Sequence, residues 1–140
     1  MLLPKKLKHR KTHRLRGKRA GMSKNGNTIA FGRFGIKAMG QAEITSRQIE
    51  SARRAIARAI KRGGKVWIRI FPQKPITRKG AEVPMGSGKG ALDHYAIDIK
   101  PGRILFEMDG VEETIARAAL KLAIYKLPIK CKVVDRDAIN

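Results

Sequence analysis

The cationic charge of this chain is confined to its first two thirds. Residues 1–90 hold 24 Lys or Arg against three acids (Glu43, Glu50 and Glu82), whereas residues 91–140 hold eight of each. The formal charge of +21 therefore belongs to the first part, and any fold must turn that part towards solvent or a polyanion. The constraint is strictest at the start. Residues 1–27 carry Lys5, Lys6, Lys8, Arg10, Lys11, Arg14, Arg16, Lys18, Arg19 and Lys24 with no acid and little apolar matter. Such a segment cannot offset the entropy of its own ordering, so it reads as a binding arm that orders on a partner. Residues 28–140 are left as one folded unit, within the size of a single domain.

The unit reads as α+β: a two-layer sandwich of a mainly antiparallel sheet and two principal helices, without the βαβα rhythm of a parallel sheet. Thr28–Ile44 alternates Ile29 and Phe31, then Ile36, Ala38, Gly40, Ala42 and Ile44, as two short strands whose glycines suggest bulges or close backbone approach. Thr45 and Gln48 form a capping-box pattern, and Gly63-Gly64 closes the helix it opens. On that helix Ile49, Ala52, Ile56 and Ile60 fall within about 80°, while Arg47, Arg54, Arg58, Lys61 and Arg62 fall within about 100° on the opposite side. A solvated face is the ordinary meaning of such a row. Here only Glu50 is near enough to neutralise it, and like charges at i,i+4 repel, so phosphate contact is the better reading.

"KVWIRIF" reads as a strand ended by Pro72 and Pro75, followed by a polar loop, 78–90, that protrudes. "HYAIDI" and "RILFEM", joined by Pro101-Gly102, read as a hairpin-like pair. A second helix has Glu112 and Glu113 in its first turn and Lys121 and Lys126 towards its end, suiting the helix dipole. Its expected buried stripe is Ile115, Ala118, Ala119, Leu122 and Tyr125. "IKCKVV" gives a last strand with Ile129, Cys131 and Val133 inward.

No catalytic constellation emerges. A phosphate loop needs Gly, four residues, then Gly-Lys-Ser/Thr. With Gly88-Lys89 as its Gly-Lys pair, Val83 and Gly90 occupy the two diagnostic positions, and both fail. His9, His13 and His94 have no motif linking them to a nucleophile. Asp93 and Asp98 fall on opposite strand faces, Cys131 suits a small buried role, and Trp67 beside Arg69 suits packing more than base stacking. No Cys/His spacing implies zinc, one cysteine allows no internal disulfide, and no run suffices to span a membrane. No cofactor is expected. The Arg-rich start could also serve as an organellar transit peptide, but a binding arm explains it at least as well. A loop this long is often functional, and glycines with Lys89 suit close approach to phosphate.

Six stretches, "MLLPKKLKHRKTHR", "FGRFGIKAMG", "ITSRQIESARRAIARAIKRGGKVWIRIFPQKPIT", "MGSGKG", "KPGRILFEMDGV" and "IARAALKLAIYKLPIK", resemble in order and spacing the bacterial-type family of large-subunit ribosomal protein sixteen. The resemblance implies a non-catalytic α+β sandwich on 23S rRNA at the base of the central protuberance, beside neighbouring ribosomal proteins and aminoacyl-site tRNA, with peptidyl-site tRNA a secondary contact. It assigns rRNA binding to the arm, with Lys5, Lys6, Lys8, Arg10, Lys11, Arg14, Arg16, Lys18 and Arg19, and to the helix row, with Arg47, Arg54, Arg58, Lys61 and Arg62. It puts Met85, Gly86, Ser87, Gly88, Lys89 and Gly90 nearest the tRNA. It further implies no homo-oligomer, and a cytoplasmic ribosome with an organellar one as the minor alternative. Pro84 departs from the family, many of whose members carry arginine there. A free nucleic-acid chaperone or nucleoid protein is the rival on charge alone.

Overall fold

The computed structural model describes residues 1–14, 21–61, 63–83 and 85–137. Arg16, Lys18, Arg19, Arg62 and Pro84 lie outside them. The elements run β1 (Phe34–Ala38), β2 (Ala42–Thr45), α1 (Ser46–Ile60), β3 (Lys65–Ile68), β4 (Lys74–Arg78), β5 (Ala91–Ile99), β6 (Ile104–Asp109), α2 (Glu113–Ile124) and β7 (Cys131–Asp135). The class is α+β as expected, but there are two sheets: β3-β6-β1-β7 and β2-β5-β4. Every strand pairing in them is antiparallel.

The division into two sheets overturns the hairpin expected of β5 and β6. At Lys100–Arg103 the chain leaves one sheet for the other. Gly102 adopts φ +95 and its amide donates to the Ala38 carbonyl at 2.7 Å, which fastens the turn to β1. β6 then runs between β3 and β1 with Ile104 to Met108 all buried, so the alternation read in it does not mark a wet face. β4 was missed because Pro75 looked like a terminator. It is tolerated because β4 is the edge of its sheet, where one amide can be lost.

α1 has the expected capping box: the Thr45 hydroxyl accepts from Gln48 N at 3.2 Å, and Thr45 N donates to the Gln48 side chain at 2.9 Å. Its end falls earlier than Gly63-Gly64, because Lys61 itself takes the left-handed conformation, φ 49 and ψ 47. Ile49, Ala52 and Ile56 are fully buried, and Ile60 packs at the core's margin. The stripe of α2 is rotated from expectation. Ala116, Ala119, Leu120 and Ala123 are buried, whereas Ala118 is exposed and so are Ile115, Leu122 and Tyr125. α2 packs closely on α1 as well as on β1 and β7, and alanines permit that approach where larger side chains would hold the helices apart. On β7, Cys131 and Val133 pack against the core as expected, as does Ile129 just before it.

Ile29 and Phe31 are not in a strand. The amides of Ala30, Phe31 and Gly32 donate instead to the side chain of Glu107 on β6, so a carboxylate takes the place of a neighbouring strand. The expected close approaches do occur beside this loop. A Cβ on Gly32 would stand 2.6 Å from the Met108 carbonyl, and one on Gly35 would stand 2.8 Å from that of Phe106.

Candidate nucleic-acid interface

Three basic pieces of the sequence come together. α1 turns Arg47, Arg54 and Arg58 outward, all exposed, along a groove that Met1, Glu50, Ser51, Ala55 and Lys126 also line. Lys61 is exposed at the helix end. Glu50 lies within this row and pairs with Arg53 at 2.5 Å and Arg54 at 3.2 Å. The hydrogen bond from Arg53, helped by the charges of Arg53, the N-terminus and Arg54, outweighs burial and lowers the Glu50 carboxyl to about 2. Arg54 is thus partly neutralised by a direct ion pair, while Arg47 feels the Asp93 charge without a pair of that kind.

Residues 1–14 have no helix or strand. They lie against the protein itself. Leu2 packs against the core, and the segment from Leu3 to His13 lines a groove with Phe71, Gln73, Lys74, Pro75 and Asp98. Arg14 closes it by donating to Glu43 at 2.6 Å, beside Lys74, which pairs with Asp98 at 2.9 Å. Arg14 therefore anchors the arm, while Lys5, Lys6, Lys8, Arg10 and Lys11 remain exposed.

The glycine loop connects β4 to β5, since Arg78 and Ala91 are the last pair of that ladder. Its base is tight: a Cβ on Gly90 would stand 2.7 Å from the Arg78 carbonyl. Its tip turns through three successive positive φ values, +125 at Gly86, +59 at Ser87 and +91 at Gly88, with Met85 fully exposed. Lys79 donates to the Gly86 carbonyl, and the arm's Lys11 donates to the Lys89 carbonyl at 3.1 Å. Met1 lines the α1 groove and Lys11 touches the loop, so one short segment links row and loop into a cationic band. Sequence reasoning missed Lys126, because it lies in the neutral third, and Lys79, which steadies the loop.

The enzymatic alternatives gain no geometry. His94 and Asp93 are 2.7 Å apart in a small recess with Thr45 and Arg47, but the Thr45 hydroxyl already caps α1. Burial raises the Cys131 thiol to about 11, which keeps it protonated and inert. Among the described residues no group of His, Cys, Asp or Glu could hold a metal, and no helix is long and apolar enough to cross a membrane. Trp67 is half-buried and stacked near Phe31.

Residues 4–134 match the model of the family described as Ribosomal protein L16p/L10e. The chain is 57% identical over 140 residues to the Large ribosomal subunit protein uL16 of Heliobacterium modesticaldum (strain ATCC 51547 / Ice1), an alignment covering all of this chain and 96% of that protein.

Proposed function

The chain belongs to the ribosomal protein L16p/L10e family and is a structural, non-enzymatic constituent of the large ribosomal subunit, and we propose that its cationic band holds 23S rRNA at the base of the central protuberance. The observation that carries this is the continuity of the band from the α1 groove at Met1 to the Lys11–Lys89 contact. Exposed lysines and arginines neutralise phosphates and release counterions, a term that fixes position more than it reads sequence.

The loop serves the second half of the reading. Met85 to Gly90 stands out from the sheet with little side-chain bulk, which suits approach to a tRNA backbone at the aminoacyl site, with the peptidyl-site tRNA a secondary contact. Neighbouring large-subunit proteins complete the surroundings, and the compartment is a cytoplasmic ribosome. The protein shapes and steadies RNA there, and peptide transfer remains the work of RNA.

Deleting Gly86–Gly90 tests both halves. The β4–β5 ladder, the arm and the α1 row lie outside the deletion, which takes only Lys89 from the band, so the variant is expected in large subunits at parental stoichiometry after a moderate salt wash. Aminoacyl-tRNA accommodation is expected to slow. Unaltered accommodation would remove the tRNA role, and loss of the parental protein from washed subunits would remove the rRNA role.

A further inference from the structure

Phe31 is 56% exposed, yet the backbone beneath it is fixed. The amides of Ala30, Phe31 and Gly32 donate to one oxygen of Glu107 at 2.7, 3.0 and 3.3 Å, and Glu107 is fully buried. Its second oxygen accepts from Arg69 at 2.5 Å. The Arg69 guanidinium in turn lies 5.1 Å from the Phe31 ring centre. Trp67 stands beside Phe31 with centroids 6.1 Å apart and planes 18° apart, and the Lys65 ammonium lies 5.3 Å from the Trp67 ring.

A buried carboxylate is an expensive way to hold a surface loop. An apolar residue at position 107 would fill the interior without that penalty, but it would release the 30–32 backbone and Arg69 together. The arrangement therefore displays an aromatic side chain in water on a backbone that is already held. Two nearly parallel rings, each with a cation close by, suit a flat group attached to an anion. An apolar protein partner would have to desolvate Lys65 and gain nothing from it, whereas a nucleobase brings a phosphate to meet that charge.

The geometry points to a nucleobase-stacking site: an unpaired base of the large-subunit RNA stacks on the Phe31–Trp67 platform, and Lys65 meets the adjoining phosphate. This contact lies outside the arm, the α1 row and the glycine loop, and it rests on the reading that the chain sits on large-subunit RNA. Arg69, already engaged by Glu107, fixes the ring rather than the RNA.

The test compares large subunits assembled with the parental protein, Phe31→Tyr and Phe31→Leu, probed by 2′-hydroxyl acylation of their RNA. Tyrosine keeps the π face and leucine keeps apolar bulk without it. At least one unpaired nucleotide protected in parental and Tyr subunits should gain about fivefold or more in reactivity with Leu, since a base–aromatic stack is worth roughly 5- to 140-fold in equilibrium. Identical reactivity at every nucleotide in subunits that contain the Leu variant overturns the inference and leaves the ribosomal role standing. Absence of even the parental protein from the subunits overturns both. Should the Leu variant fail to enter subunits, Trp67, the chain's one tryptophan, decides in the free protein. Its emission should be quenched by large-subunit RNA in the parent and distinctly less in the variant, and equal quenching overturns the site.

Discussion

Glu107 sets burial against hydrogen bonding. Burial alone would push its carboxyl up, but the amides of Phe31, Ala30 and Gly32 and the Arg69 guanidinium hold it below its ordinary value of 4.5. A lowered folded value means that its contribution to stability is fully present above the unfolded value and declines as pH falls through the folded one. Glu50, held at about 2 by Arg53, acts with the same sign over the interval from 4.5 downward. Glu107→Gln removes the charge at nearly constant shape. It is expected to lose about 3 kcal/mol at neutral pH, the lower end for breaking a buried pair, because the Arg69 side chain keeps 18% exposure. Urea midpoints at unchanged m would measure it, and the variant should lose less stability than its parent on acidification below pH 4.5. A variant as acid-sensitive as the parent would mean that Glu107 is already neutral in the fold. Nothing in "RILFEM" discloses this role, because the partners of Glu107 are backbone amides 75 to 77 residues away.

At the scale of elements, legibility followed how far local pattern decided the outcome. α1 has one apolar stripe and its own cap, so its start, its cap and its two faces could all be read directly. α2 is apolar over about two thirds of its circumference, and two stripes compete. The expected stripe ran through Ile115, Ala118, Ala119, Leu122 and Tyr125, but close packing on α1 selected Ala116, Ala119, Leu120 and Ala123. The two stripes make opposite predictions for neighbouring leucines. Leu120→Ala, at a fully buried position, should cost about 2–5 kcal/mol. Leu122→Ala, 49% exposed, should stay within about 0.5 kcal/mol. Thermal or urea denaturation of both would decide, and a larger loss at Leu122 would restore the original stripe. β4 and the β5–β6 connection escaped for a related reason. Whether Pro75 ends a strand or edges a sheet, and whether Pro101-Gly102 folds a hairpin or changes sheets, depends on neighbours far along the chain.

For the whole molecule, the asymmetry of charge becomes an asymmetry of surface. The neutral last third supplies β5, β6, α2 and β7, which form much of the scaffold, while the arm, α1 and the loop carry the band. The division is imperfect in an informative way, since Lys126 crosses into the α1 groove and Arg14 is drawn back to Glu43. Cations held in a direct ion pair release fewer counterions on binding than exposed ones outside such a pair, so the salt dependence of RNA affinity should sort them. Each phosphate contact contributes about 0.7–0.9 to the slope of log K against log salt. The Arg47→Ala/Arg58→Ala double variant should therefore flatten the slope by as much as about 1.4–1.8. Arg54→Ala should do less, because Glu50 already faces Arg54 at 3.2 Å. Arg117→Ala, whose guanidinium donates to Glu113 at 3.0 Å on α2, should leave the slope unchanged. Titration of large-subunit RNA at several potassium chloride concentrations measures all three. Equal slopes for the double variant and Arg117→Ala would mean that the α1 row is a solvated face after all, and would shift the RNA contact to the arm alone.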